Sequence, residues 1–398
     1  MTGPEHVLVV GAGLAGLRTV EGLRRAGHDG RISLVGAEKH LPYDRPPLSK
    51  QYLAGEWDRA RIDLIAAEGL TELGVRMHLG RRAVALRAGE VELDDGSTLH
   101  ADAIVLAVGV VARTLDGQPP SAHVLRSVDE SDTLRDALAQ ASSLLVVGAG
   151  FIGAEVASTA LNRGLAVTVL ETGPVPMARV LGSEVGALAA RLVSEAGADL
   201  RCGVTVSALT ETGATLSDGS AVTADQTVVG IGGRLDLGWL EPTGLDLTGG
   251  IPCDEHGRVE GLTGVWAVGD AAAWTDPHFG GRVRHEHWTS ATDQAAVVAR
   301  DITGAEPPPP TVPYFWSDQF GLKIQLIGRP DLADELLPLH GDGLDGGEIK
   351  GTTVGYLRGG ELVAVVGFGA ARRIARYRKP LAARADRAAT LEFRDTLT

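Results

Sequence analysis

Two stretches of this chain repeat one pattern, and that repeat constrains the fold more than anything else in the sequence. Val7-Leu8-Val9-Val10 runs into Gly11-Ala12-Gly13-Leu14-Ala15-Gly16, and Leu144-Leu145-Val146-Val147 runs into Gly148-Ala149-Gly150-Phe151-Ile152-Gly153. Each copy is a β-rich apolar run, a G-x-G-x-x-G and a helical stretch. The first glycine permits a sharp strand-to-helix turn, the second lets the main chain approach a pyrophosphate, and the third allows close helix–strand packing. The helix N-terminus then offers free N–H groups to the anion. Each copy goes on to a second strand followed by an acid: Ile32–Val35 precedes Glu38, and Val167–Leu170 precedes Glu171. A carboxylate there can accept both hydroxyl hydrogens of an adenosine ribose. Two complete units predict two dinucleotide sites.

The repeat extends beyond the glycine loops. Ala103–Gly109, Thr227–Gly232 and Val265–Asp270 each read as a buried strand running into a glycine, and Val91–Ser97 and Ala214–Ser220 read as matching hairpins between the parallel units. Pro307–Pro310 form an unbroken proline run, a stiff linker ahead of a C-terminal segment without a fingerprint.

Composition excludes several classes. With 44% apolar and 22% charged residues the chain is globular rather than disordered. A net charge of −14 makes its surface as a whole a poor binder of nucleic acid. Cys202 and Cys253 form no C-x-x-C, which points to a reducing, cytoplasmic setting. The start of the chain lacks a basic region ahead of a long apolar stretch, so no signal peptide is expected, and the apolar run near Ala103–Ala112 is about half a membrane span. No histidine spacing suggests a metal site, and no G-x-S-x-G elbow suggests a hydrolase.

The paired fingerprints, together with Leu41-Pro42-Tyr43-Asp44-Arg45-Pro46-Pro47-Leu48-Ser49-Lys50, Gly269-Asp270, Arg284-His285-Glu286-His287-Trp288 and Tyr314–Gln319, resemble one family across nearly the whole chain. It is the FAD-dependent, NADH-using ferredoxin reductases that serve oxygenases, among them components of bacterial P450 and aromatic-ring dioxygenase systems. The resemblance implies an α/β protein with two Rossmann-like, glutathione reductase-like dinucleotide-binding domains and a small α+β C-terminal domain. The expected division is 1–112 and 233–306 for FAD, 113–232 for NADH, and 311–398 for the C-terminal domain.

Carried over by position, the resemblance places FAD on Gly11, Gly13, Leu14 and Ala15, with Arg45 across the pyrophosphate, Glu38 at the ribose and Ala83 and Val84 at the adenine. Ala107, Val108 and Gly109 end the adjoining strand. Arg126 reaches the cofactor, Gly269 and Asp270 meet the ribitol chain, and Glu286, His287 and Trp288 lie beside the flavin. NADH falls to Gly148, Gly150, Phe151, Ile152, Gly153, Glu155, Glu171, Arg179 and Gly232. Lys50, Glu155, Trp288 and Trp316 form the expected catalytic set. The implied reaction passes a hydride from NADH to flavin and then single electrons to an iron–sulfur ferredoxin that supplies a P450 or a dioxygenase. Residues 371–398 carry a net charge of +5, and Arg372, Arg373 and Arg376 offer an acidic ferredoxin a docking face.

The sequence departs from the family pattern at Ala37, where some relatives have an acid, at Val108, where threonine is usual, and at Gly233-Arg234, where Pro-Asn is common. Two other readings stand beside this one. A peroxide- or oxygen-reducing NADH flavoprotein needs a redox cysteine, which Tyr43–Tyr52 lacks. A binding flavoprotein resembling apoptosis-inducing factor needs a basic surface.

Overall fold

The computed structural model describes residues 3–397. Four helices organise the regions of interest: α1 (Leu14–Arg25), α2 (Phe151–Asn162), α3 (Trp288–Thr303) and α4 (Ala371–Ala382). The chain forms two compact units, each assembled from three separated segments.

The first unit comprises Met1–Asp44, Ala60–Val111 and Arg234–Pro313. Its sheet has five parallel strands in the order Val265–Ala267, Ala103–Leu106, His6–Val10, Arg31–Gly36, Val75–Leu79. His6–Val10 is buried along its whole length, as a central parallel strand covered on both faces must be. α1 follows that strand at once and packs against α3. A three-stranded antiparallel sheet, Ala83–Arg87, Glu90–Leu93 and Thr98–His100, is inserted between parallel strands, where the Val91–Ser97 hairpin was expected.

The second unit comprises Arg45–Arg59, Ala112–Gly233 and Tyr314–Thr398. Its parallel sheet runs Asp199–Cys202, Ala166–Glu171, Ser143–Val147, Gln226–Val229, Ala122–His123. Val206–Thr210, Gly213–Leu216 and Ala221–Thr223 repeat the antiparallel insertion. The same unit holds a second, antiparallel five-stranded sheet in the order Tyr314–Gln319, Leu322–Gly328, Glu361–Phe368, Thr353–Arg358, Glu335–His340, with α4 packed on it.

These units cut the chain differently from the four segments read from sequence. Arg45–Arg59 leaves the 1–112 segment, and the C-terminal sheet joins 112–233 in one unit. Local bonds give the reason. The Ser131 hydroxyl donates to Leu48 O at 2.8 Å, the Thr159 hydroxyl to Ser49 O at 2.8 Å and the Tyr52 hydroxyl to Asp132 at 2.8 Å. The Pro-rich turn Pro46–Ser49 is therefore held by α2 and by the helix Val128–Leu138.

Candidate functional site

Both glycine loops have the geometry that a dinucleotide demands. Gly11 and Gly148 adopt φ of +120° and +101°, a region that side chains disfavour. A Cβ on Gly11 would lie 2.1 Å from Ala107 O, and one on Gly153 would lie 2.1 Å from Gly148 O. The second glycines differ: a Cβ on Gly13 would meet nothing within 4 Å, and one on Gly150 only Gly230 O at 3.8 Å. Open space at the second glycine, above an N-terminus with no side-chain cap and no acid in its first turn, suits a pyrophosphate on both α1 and α2.

In the first unit Leu14 and Ala15 begin α1, and Glu38 lies just past the strand Arg31–Gly36, where Tyr43 donates its hydroxyl to Glu38 Oε2 at 2.5 Å. Ala107, Val108 and Gly109 follow the strand Ala103–Leu106, with Gly109 at φ +65°. Gly269 takes φ +77° and donates its N–H to Gln294 Oε1 at 2.8 Å, and Asp270 accepts from Arg284 through its backbone carbonyl at 2.9 Å. Trp288 opens α3 and donates Nε1 to Asp44 at 2.8 Å. Glu286 pairs with Arg284 at 2.5 Å. Burial and the neighbouring His285 push the His287 imidazole down to about 3. Ala83 is buried, whereas Val84 beside it is exposed.

In the second unit Glu171 ends its strand and accepts from Ala149 N–H at 2.9 Å and Gly173 N–H at 2.7 Å, which ties it to the glycine loop. Arg179 lies exposed in the short helix Ala178–Leu181, and Gly232 takes φ +96°. Phe151 packs its ring 4.3 Å from Phe315, while Ile152 is exposed. Arg45 donates to Arg126 O at 2.5 Å, so two of the arginines expected at the cofactor are bound to each other.

The strongest electrostatic feature of this unit is Glu155, one turn into α2 and 3% exposed. A carboxylate that deeply buried is costly unless donors surround it. Lys50 Nζ reaches its Oε2 at 2.6 Å, Ser49 Oγ reaches the same oxygen at 2.5 Å, and Ser317 Oγ reaches Oε1 at 2.5 Å. Each bond to a charged acceptor contributes about 1.5–3 kcal/mol. The family resemblance put Lys50 and Glu155 in one catalytic set but did not single out Ser49, Ser317 or Asp44, although all three lie inside the motifs that carry it. Trp316 lies in the same strand as Ser317. It sits beside Tyr314, ring centres 5.9 Å apart, with Lys323 over its own ring.

The two thiols give no redox pair. Cys253 is fully buried, in the first unit, and burial pushes it up to about 12. Cys202 is in the second unit, where burial and Glu171 also raise its pKa. Among the described residues no cluster could hold a metal ion, and no helix is long and apolar enough to cross a membrane.

A family model described as pyridine nucleotide-disulphide oxidoreductase matches residues 5–295, and one described as reductase C-terminal matches residues 314–396. The ferredoxin reductase component of chlorobenzene dioxygenase from Cupriavidus sp. (strain PS12) is 38% identical over 389 residues, 96% of this chain and 93% of that protein. Rhodocoxin reductase of Rhodococcus erythropolis is 36% identical over 338 residues, 82% of this chain and 79% of that one. Among solved structures, the covalent putidaredoxin reductase–putidaredoxin complex matches with a TM-score of 0.92 at 29% identity, covering 98% of both chains.

Proposed function

Because the chain belongs to the pyridine nucleotide-disulphide oxidoreductase family, we propose that it is an FAD-dependent NADH:ferredoxin reductase of an oxygenase system. It takes electrons from NADH and delivers them to an iron–sulfur ferredoxin that serves a P450 or a ring-hydroxylating dioxygenase. The observation that carries this reading is the pair of glycine cradles, each open at its second glycine over an uncapped helix, in a chain without a paired thiol. The lack of a cysteine in Tyr43–Tyr52 weighs against a peroxide-reducing enzyme, and −14 of net charge weighs against a nucleic-acid binder. The setting is cytoplasmic.

FAD belongs to segments 1–112 and 233–306, with Gly11, Gly13, Leu14 and Ala15 at the pyrophosphate, Glu38 at the ribose, Asp270 at the ribitol and Trp288 beside the ring. Arg45 and Arg126 add positive charge. NADH belongs to 113–232, with its pyrophosphate on the N–H groups above Gly150 and its ribose on Glu171. Bound FAD supplies the conversion of a two-electron hydride donor into single electrons. The chain's own part is electrostatic and positional. Lys50 presents a cation that favours negative charge nearby, and Glu155 and Ser49 fix its direction. Glu171 repels a 2′-phosphate and so selects NADH.

The test is NADH-driven cytochrome c reduction by purified yellow protein, with and without an added ferredoxin. Strong dependence on ferredoxin, with FAD released on denaturation, is expected. A colourless protein that takes up no FAD, or NADH oxidation indifferent to ferredoxin, refutes the reading.

A further inference from the structure

Strand Tyr314–Gln319 alternates its side chains, as strands do. Phe315, Ser317 and Gln319 fall on the face toward α2, where Phe315 meets Phe151 and Ser317 meets Glu155. Tyr314, Trp316 and Asp318 fall on the other face, with Trp316 beside Tyr314 and Asp318 bound to Lys323 at 2.7 Å. The inner face is sealed at Ser317 and Gln319, which are 0% and 2% exposed, yet both are polar. Polar side chains in such positions need partners.

They find them in a chain of bonds. Gln319 Nε2 donates to Ser317 Oγ at 3.0 Å, and Ser317 Oγ donates to Glu155 Oε1 at 2.5 Å. Ser317 has one proton and the carboxylate takes it, so the amide must present its N–H side to the hydroxyl. Gln319 therefore meets a Ser317 lone pair with a donor and supports the hydroxyl's bond to Glu155. The other carboxylate oxygen, Oε2, receives Ser49 and Lys50. A carboxylate gripped at one oxygen retains a broad terminal torsion, and one gripped at both does not. Rotation of the Glu155 carboxylate would carry its Lys50 bond along.

We propose that Ser317, supported by Gln319, is a positioning residue that acts through Glu155 to fix the Lys50 ammonium, so that the C-terminal sheet governs the reactive cation. The consequence for electron transfer rests on the function proposed above; the positioning itself does not.

Two readouts separate those statements. The first is acetylation of Lys50 by acetic anhydride, followed by mass spectrometry with exposed Lys379 as internal standard; it needs no turnover. The chain has five lysines, and the Lys50 side chain is 12% exposed. Ser317→Ala raises Lys50 labelling severalfold relative to Lys379, and Ser317→Thr, which keeps a hydroxyl, stays near wild type. The second readout is stopped-flow flavin reduction by NADH. Ser317→Ala slows it about tenfold, the effect of one lost charge-assisted hydrogen bond, with NADH affinity unchanged. In a Glu155→Gln background the same change adds little, because the route through Glu155 is already cut. Unchanged Lys50 labelling in Ser317→Ala overturns the proposal, as does a rate loss that multiplies independently with Glu155→Gln. Raised labelling with unchanged flavin reduction upholds the positioning and refutes the role of Lys50 in electron transfer instead. Should Ser317→Ala fail to fold, Gln319→Leu removes only the donor that supports Ser317, and labelling of Lys50 must still rise.

Discussion

A cation and a carboxylate buried together are each other's condition for being there. Lys50 and Glu155, with side chains 12% and 4% exposed, meet at 2.6 Å, and Lys50→Met leaves the carboxylate with only the two serine hydroxyls among its present donors. The expected stability loss is up to about 3 kcal/mol, toward the low end for breaking a buried pair because those hydroxyls remain. Flavin reduction by NADH slows about a hundredfold in the same variant while FAD stays bound, since a thioether cannot stabilise negative charge; an unchanged stopped-flow rate would remove Lys50 from the reaction. At Glu171 the carboxylate is already held by Ala149 and Gly173 N–H groups, so its direction is set before a nucleotide arrives. Glu171→Ala should weaken NADH use and narrow the gap to NADPH, measured as the ratio of kcat/KM values. Equal wild-type efficiency with the two nucleotides refutes that assignment. His287 makes a prediction of another kind. Its folded pKa lies near 3, below the 6.5 of an unfolded histidine, so the unfolded chain takes up this proton first as pH falls. The contribution is fully present above pH 6.5 and is lost on the way down to 3. At pH 5 the loss from this site is at most about 2 kcal/mol. His287→Gln should flatten the fall in denaturant-unfolding free energy between pH 7 and 5; an equally steep fall in the variant would show that the other histidines and carboxylates account for it.

At the scale of elements, the glycine cradles were legible because each residue answers to a local need. A turn at φ +101° wants glycine at 148, and the 2.1 Å approach to Gly148 O wants no Cβ at 153. Gly153→Ala should therefore displace α2 from its strand, weaken NADH binding by at least tenfold and cost about 3 kcal/mol, read by nucleotide titration and denaturant unfolding. Normal NADH affinity would show that the helix can shift without consequence. The acids after the second strands were legible for the same reason, and so were the paired hairpins. The ring of donors around Glu155 was not. Ser49 lies 106 residues from Glu155 and Ser317 lies 162 residues from it, so no spacing rule links them, and a serine inside a strand carries no mark of its partner. The C-terminal strands could be foreseen as a small α+β region, but not the face they turn to α2. Nor could the attachment of Arg45–Arg59 to the second unit be read locally, since Ser131, Thr159 and Asp132, which hold it, look like ordinary helix residues.

The whole molecule carries −14, and its last 28 residues carry +5. The structure sorts those terminal cations. Arg373 turns to Gly351 O, Arg378 stacks over Tyr314, and Arg384, Arg387 and Arg394 pair with Glu361, Glu335 and Asp395. Arg372, Arg376 and Lys379 are exposed and, among the described residues, form no ion pair. Their spacing of four and three residues puts them on one face of α4. Arg373 is thus tied to the backbone, and exposed Lys379 shares the face of Arg372 and Arg376. Other basic positions are neutralised by neighbours: Arg282 by Glu260, Arg284 by Glu286, Arg329 by Asp331. On the function proposed above, an uncompensated basic stripe on an acidic protein would give an acidic ferredoxin one orientation of approach and a faster encounter. Arg372→Glu with Arg376→Glu should raise the apparent KM for ferredoxin severalfold at low salt. The effect should shrink once the Debye length falls well below about 10 Å. Ferricyanide, too small to need the stripe, should be reduced at the wild-type rate. If ferredoxin kinetics stay as unaffected as ferricyanide's, the stripe is a solvated helix face and the partner docks on a surface matched by shape rather than by charge.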